Sequence, residues 1–179
     1  FPVELFKDYE YRITKWDEVT SARLKELQSG QFDIIILDIN GVAKQLSEED
    51  GFAIIETIKS NNPSQILIAY SGQTYDSSKQ KYWQMADDTI PKPGGFLRIK
   101  EMIDSIIVNQ FTPERYLGVL RSILDEQGFN QSAKRGFELK LFNTISKGKN
   151  IDWNSLLGIT RDRTVKRKLK ITIETLIKN

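Results

Sequence analysis

Two apolar runs, 34–37 within FDIIILDI at 32–39 and 66–69 within QILIAYS at 65–71, do most to limit what this chain can fold into. Strands that are apolar at every position, not at alternate ones, are expected where both faces of a sheet are covered. Between them lies GFAIIETIKSNNP at 51–63, with apolar residues at helical spacing and a closing Asn-Asn-Pro. Consecutive buried strands joined through a helix are the signature of a parallel sheet.

The rest of the first two-thirds of the chain repeats this alternation. YRITKW at 11–16 is β-rich and reads as a strand. Asp17 then reads as an N-cap for a helix with Val19, Ala22, Leu24 and Leu27 on its apolar face, stopped by Gly30. SSKQKYWQMAD at 77–87 reads as a helix and DTIPKP at 88–93 as a short strand. FLRIKEMIDSIIVNQ at 96–110 reads as a helix with Leu97, Ile99, Ile103, Ile106 and Ile107 facing inward. The pattern predicts an α/β fold, a doubly wound parallel sheet with helices on both faces. Ligands bind such sheets at the carboxyl ends of the strands. Asp38, Ser71 and Lys92 each stand at such an end, and Asp50 reads as the N-cap of the helix that follows it.

Composition narrows the chemistry. The 179 residues contain no cysteine and no histidine. Disulfides, thiolate metal sites, Ser-His-Asp triads and a phosphohistidine carrier role are therefore excluded for these residues. The absence of cysteine agrees with a cytoplasmic setting. No apolar run is long enough to cross a bilayer, so no membrane role is expected, and FPVELFKDYE at 1–10 lacks the pattern of a secretory signal. The net charge of +2 conceals a division: residues 1–111 carry 12 Lys/Arg and 17 Asp/Glu, whereas residues 112–179 carry 14 and 7. An acidic unit at 1–110 and a basic one at 111–179 are expected, with different partners.

A carboxylate can act as a nucleophile toward phosphorus. Phosphoryl transfer needs charge neutralisation more than acid–base work. A lysine supplies a point charge, a hydroxyl a hydrogen bond to a phosphoryl oxygen, and an oxygen-ligated divalent ion further charge. Lys92, Ser71 and Asp38 are the residue types for these tasks, and the backbone carbonyl of Asn40 adds a metal ligand.

Residues 1–108 resemble the receiver domain of bacterial two-component response regulators. The resemblance rests on the strand ending at Asp38, on Asp50-Gly51-Phe52 opening a helix, on the strand ending at Ser71 and on Pro91-Lys92-Pro93. It implies a flavodoxin-like fold, with Asp38 as phosphoacceptor and Ser71 and Lys92 as phosphoryl-binding switch residues. It also implies a cis bond at Lys92–Pro93 and Mg2+ as cofactor, held by Asp38 and the Asn40 carbonyl. The donor would be a sensor histidine kinase or a phosphotransfer protein, necessarily another chain, and a homodimer is left open. On this reading the chain is a phosphoacceptor and not an enzyme, beyond self-dephosphorylation.

Four features depart from the family. Its central first strand, which ends in a metal-binding acidic pair, is not found, and FPVELFKDYE resembles the helix after it. The expectation is that these residues begin inside such a domain. The loop INGVAKQLSEED is about five residues longer than in the family. Thr89 stands where the family has an aromatic switch residue, and Gly72 where it has alanine. A pseudo-receiver that only binds other proteins is the alternative. IIILDING also resembles the first motif of haloacid-dehalogenase-type phosphatases, but Asn40 replaces their second aspartate and an amide cannot shuttle the proton.

The basic remainder opens with Thr112 and Pro113, an N-cap followed by proline at the first helical position. Leu117, Leu120, Ile123 and Leu124, then Phe137, Leu141, Phe142 and Ile145, then Val165, Leu169, Ile173 and Leu176 define amphipathic helices. With a short helix after Asp152, they predict a small all-α unit of about four helices. LLGITRDRTVKRKLK at 156–170 resembles the helix-turn-helix of DNA-binding regulators, with a turn one residue longer than the commonest version. Arg161, Arg163, Lys166, Arg167, Lys168 and Lys170 are its candidate nucleic-acid contacts. The competing reading is a solvated basic face that docks another protein or nothing.

Overall fold

A computed structural model describes residues 1–72, 79–148 and 150–178. The chain divides into two compact units, one of residues 1–60 and 65–110, the other of residues 111–179 together with 61–64.

The first unit is mixed α/β. Its elements are a 3-10 turn at Val3–Phe6, then α1 (Ser21–Leu27), β1 (Ile34–Asp38), α2 (Gly51–Asn61), β2 (Ile66–Ser71), α3 (Gln80–Met85), β3 (Asp88–Pro91) and α4 (Phe96–Gln110). Among the described residues the strands form one open parallel sheet in the order β1-β2-β3. Ile34 pairs with Ile66 and Asp38 with Tyr70, while Tyr70 pairs onward with Ile90 and Ser71 with Pro91.

β2 is the strand that its sequence suggests. Ile66, Leu67, Ile68 and Ala69 are all at most 1% exposed, so both faces are covered. Leu67 and Ala69 join Ile35, Leu37 and Ile39 in a core with Leu27 of α1 and Phe52, Ile54, Ile55 and Ile58 of α2. β1 does not behave as its unbroken apolar run implies: only Ile35 and Leu37 are buried within it, and Ile34 and Ile36 are half-buried. The cause is position. β1 has a described neighbour on one side only, which leaves one edge open, and its residues alternate between a face packed on the core and one less fully covered.

Residues 11–16, expected as a strand, form no ladder. A strand exists only through a ladder partner, and among the described residues none pairs with this segment. The segment resembling a helix, residues 1–10, is only the turn at Val3–Phe6. The first helix starts later than expected. Its cap is Thr20, whose Oγ1 accepts from the Arg23 N–H at 3.3 Å, and not Asp17. Val19 N–H is already committed to the Val42 carbonyl at 2.7 Å, which holds the preceding residues in a loop. Of the expected helix at 77–87, residues 77 and 78 lie outside the described residues. In α4, Ile99, Ile103 and Ile106 are buried, but Leu97 is 71% and Ile107 41% exposed.

The second unit is all-α: α5 (Pro113–Glu126), α6 (Gln131–Ser146), α7 (Trp153–Leu156) running into a 3-10 turn at Leu157–Ile159, and α8 (Arg163–Lys178). Each start has a local cause. Thr112 accepts from Arg115 N–H at 3.4 Å, Asn130 from Ala133 N–H at 2.9 Å, and Asp152 from Ser155 N–H at 3.0 Å. Asp162 accepts from Thr164 N–H at 2.7 Å and from Val165 N–H at 3.1 Å. Leu120, Ile123, Leu124, Phe137, Leu141, Leu156, Leu157, Val165, Leu169 and Ile173 form its core. Phe142 and Ile145, expected in that core, are 45% and 37% exposed. α6 buries only the stripe through Phe137 and Leu141; Phe142 is turned a further ~100° around the axis and Ile145 lies in the last turn of the helix.

Candidate functional site

The site grows out of the sheet's carboxyl edge. Asp38 is the last residue of β1, Ser71 the last of β2, and Lys92 follows directly on Pro91, the last of β3. The ladder continues one step past β3, because Lys92 N–H donates to the Ser71 carbonyl at 2.8 Å. That bond fixes the root of the lysine side chain. The Lys92–Pro93 peptide is cis.

Lys92 and Asp38 meet. The ammonium donates to Asp38 Oδ2, and both side chains are about one-third exposed, at 29% and 32%. The other oxygen, Oδ1, accepts from Asn40 N–H at 3.1 Å. The carboxylate thus sits at an accessible rim with one oxygen against a cation and the other against a backbone donor. A pair this exposed contributes little to folding, about 0–1 kcal/mol. Its interest is chemical: an anion with a resident counter-charge.

Ser71 is buried, at 5% exposure. The register pairs it with Pro91, whereas the residue opposite Asp38 is Tyr70. The lysine ammonium lies over the Tyr70 ring, 4.6 Å from its centroid. Nothing in the sequence reading singled out Tyr70. The available signal was its place, one residue before Ser71 on a strand whose alternation gives it the face that Asp38 uses. Thr89, expected to stand at the aromatic switch position of receiver domains, is exposed on β3. Gly72 leaves ordinary room, since an added Cβ would lie 3.5 Å from Lys92 Cβ.

The long loop after Asp38 is closed by Asp50. This residue does not turn its carboxylate to the helix that follows. It accepts from Gly41 N–H with one oxygen and from Ala43 N–H at 2.6 Å with the other. Its φ of 51° lies in the left-handed region, a cost borne where those two bonds over-determine the conformation. Gly51 is fixed by close approach: an added Cβ would lie 2.7 Å from both Ile39 Cα and Ile39 O and 2.8 Å from Asp38 O. Asp50-Gly51 therefore latches the loop against the very residues that carry the candidate nucleophile.

Magnesium is usually held through one or two carboxylates together with waters and phosphate oxygens. Asp38 and the backbone carbonyl of Asn40, an exposed residue two positions on, are the donor types of that minimal set. Among the described residues, no group of three or more acidic side chains gathers anywhere to form a fuller one.

The basic candidates lie at the start and along α8. Arg161, Arg163, Arg167 and Lys170 are exposed, and Lys166 and Lys168 are half-buried. Arg163, Arg167 and Lys170 recur at helical spacing on one face. Lys170 lies 3.7 Å from Glu174 and 5.4 Å from the Trp153 ring centroid. Arg167 donates to Asn61, a residue of the same unit. No helix of the described residues is long and apolar enough to cross a membrane. In comparisons with known proteins, no family model matches the chain, and neither a curated protein nor a solved structure matches it.

Proposed function

We propose that the first unit is a receiver-like phosphoacceptor of flavodoxin-like type, and that Asp38 takes a phosphoryl group from another protein. The single observation that carries the reading is the Lys92 ammonium against the Asp38 carboxylate at the carboxyl rim of a parallel sheet. An Asp38 oxygen attacks phosphorus of a phosphohistidine on a histidine kinase or phosphotransfer partner. A P–O bond forms, the P–N bond breaks, and the departing imidazole takes up a proton from solvent. The product is an acyl phosphate on Asp38. Lys92 turns from the carboxylate to the new phosphoryl oxygens, where its point charge offsets the added negative charge. Ser71, at the end of the adjacent strand, lies one residue past the partner of Asp38, and its hydroxyl would have to move toward the Asp38 face to donate to a phosphoryl oxygen. A magnesium ion on Asp38 and the Asn40 carbonyl would supply further neutralisation of the transferring group.

The test is incorporation of one phosphoryl group from a small phosphodonor in the presence of Mg2+, read by intact mass. Wild type gains one group and Asp38→Asn gains none. Continuous release of product from a phosphomonoester would instead favour the phosphatase reading. Docking of a partner without any incorporation would favour the pseudo-receiver.

For the second unit the reading is an output module that binds nucleic acid. The exposed row Arg163, Arg167 and Lys170 beyond a capped turn supports it. Binding carried by phosphate contacts falls steeply as salt rises.

A further inference from the structure

We propose that Tyr70 is a positioning residue: its ring is the floor across which Lys92 reaches Asp38. β2 lies between β1 and β3, so Asp38 and Lys92 are separated by a whole strand. Neighbouring strands stand about 4.8 Å apart, so the roots of the two side chains are on the order of 10 Å from each other. A lysine spanning that gap must run over whatever side chain the middle strand presents.

The register identifies that side chain. Asp38 pairs with Tyr70 and Tyr70 with Ile90, which places all three in one row across the sheet. Residues in one row share a face, and Lys92, two residues beyond Ile90, returns to the same face. Tyr70 is therefore the middle-strand residue under the lysine, and Ser71, one residue on, belongs to the other alternation. The contact confirms the placement: the ammonium is 4.6 Å from the ring centroid while it donates to Asp38 Oδ2.

A ring face attracts a cation without neutralising it, and it offers no competing anion. A carboxylate at position 70 would capture the ammonium, and an aliphatic residue would let its four-carbon arm swing into water. The tyrosine ring does neither. It keeps the charge at the rim after the Asp38 oxygens have changed partner. This consequence rests on reading Asp38 as the phosphoacceptor; the positioning itself does not.

The experiment has two arms on the full chain with Tyr70→Phe and Tyr70→Leu. The first follows the Lys92 ε-methylene protons by NMR. Wild type and Tyr70→Phe show an upfield ring-current shift, which Tyr70→Leu loses while its other resonances stay dispersed. The second follows phosphoryl incorporation from a small phosphodonor with Mg2+. Tyr70→Leu slows about three- to tenfold, and Tyr70→Phe stays within about twofold of wild type, as loss of a partly exposed cation–π contact requires. Absence of the ring-current shift in wild type, or equal loss in the Phe and Leu variants, overturns the proposal. If wild type shows the shift but takes no phosphoryl group, the positioning stands and the phosphoacceptor reading alone falls.

Discussion

The ammonium of Lys92 donates to the carboxylate of Asp38, a residue 54 positions earlier in the chain. Neither group needs the other for folding, because both remain about one-third exposed at 29% and 32%. Lys92→Ala is therefore expected to change unfolding free energy by less than about 1 kcal/mol. On the proposed phosphoacceptor reading, the same substitution should reduce phosphoryl incorporation on Asp38 by about tenfold or more, since it removes a charge that would act on the transferring group. Denaturant melts alongside intact-mass time courses separate the two effects. A large stability loss with unchanged incorporation would show the pair to be structural.

Gly51 gives the opposite kind of prediction. An added methyl at this position would sit 2.7 Å from backbone atoms of Ile39 and 2.8 Å from the Asp38 carbonyl. Backbone cannot step aside as a flexible side chain can. Gly51→Ala should destabilise the first unit by about 1–3 kcal/mol, the usual cost of overpacking. The displaced residues adjoin Asp38, so the variant should also lose phosphoryl incorporation even at temperatures where it remains folded. Gly72→Ala, with its nearest contact at 3.5 Å, is the control and should be close to neutral.

Asp50 closes a loop that its sequence does not announce as closed. Its carboxylate accepts from Gly41 N–H and Ala43 N–H. Asp50→Ala leaves both donors without it, at a cost of about 1–3 kcal/mol for the loop. Hydrogen exchange at the Gly41 and Ala43 amides should accelerate while exchange in β2 is unchanged. Exchange that accelerates equally everywhere would mean that Asp50 supports the whole unit instead of the loop.

Elements with a strong local signal were legible in the sequence. β2, with Ile66 to Ala69 buried on both faces, follows from its unbroken apolar run, and α5 from Thr112-Pro113 at its start. What failed depended on neighbours. Residues 11–16 have strand-like composition, but composition cannot supply a ladder partner. Asp17 and Thr20 are both good caps, and the choice between them was made by the Val19–Val42 bond, a contact with a distant loop. Asp38, Ser71 and Lys92 were legible as three strand ends. Tyr70 was not, because its role follows from a register across three strands that a linear pattern does not contain.

A pH dependence is expected at the contact between the chain's first residues and α4. Tyr11 OH donates to Asp104 Oδ1 at 2.5 Å, and Lys100 pairs with the other oxygen at 2.5 Å. The hydrogen bond from Lys100, and then that from Tyr11, hold the Asp104 carboxyl below its ordinary value of 3.8. Its folded value being depressed, the stabilisation is present above that pH and is lost as pH falls through the folded value. For Tyr11 the hydrogen bond to Asp104 is the main cause of a rise above the ordinary 10.0. That contribution is complete below pH 10 and is lost as pH rises through the raised value. Asp104→Asn should flatten both limbs in denaturant melts taken across pH. A variant that follows the wild-type curve at both ends would place the dependence elsewhere.

The basic row on α8 yields a prediction with a numerical signature. Binding that depends on phosphate contacts releases counterions, and log affinity falls linearly with log salt at a slope of about −0.9 per contact for duplex DNA. Arg163 and Lys170 are both exposed, and their alanine variants should each reduce that slope by about one unit. Their effect on stability should be small, within about 0.5 kcal/mol, since neither is buried in the core of the unit. Lys140, whose ammonium donates to the Ser155 carbonyl, lies on α6 outside the row. Its alanine variant should leave the slope unchanged. A slope that drops equally for all three variants would mean that net charge, and not the α8 row, attracts the nucleic acid. A duplex that fails to bind even at low salt would leave the row as a solvated face and remove the nucleic-acid reading.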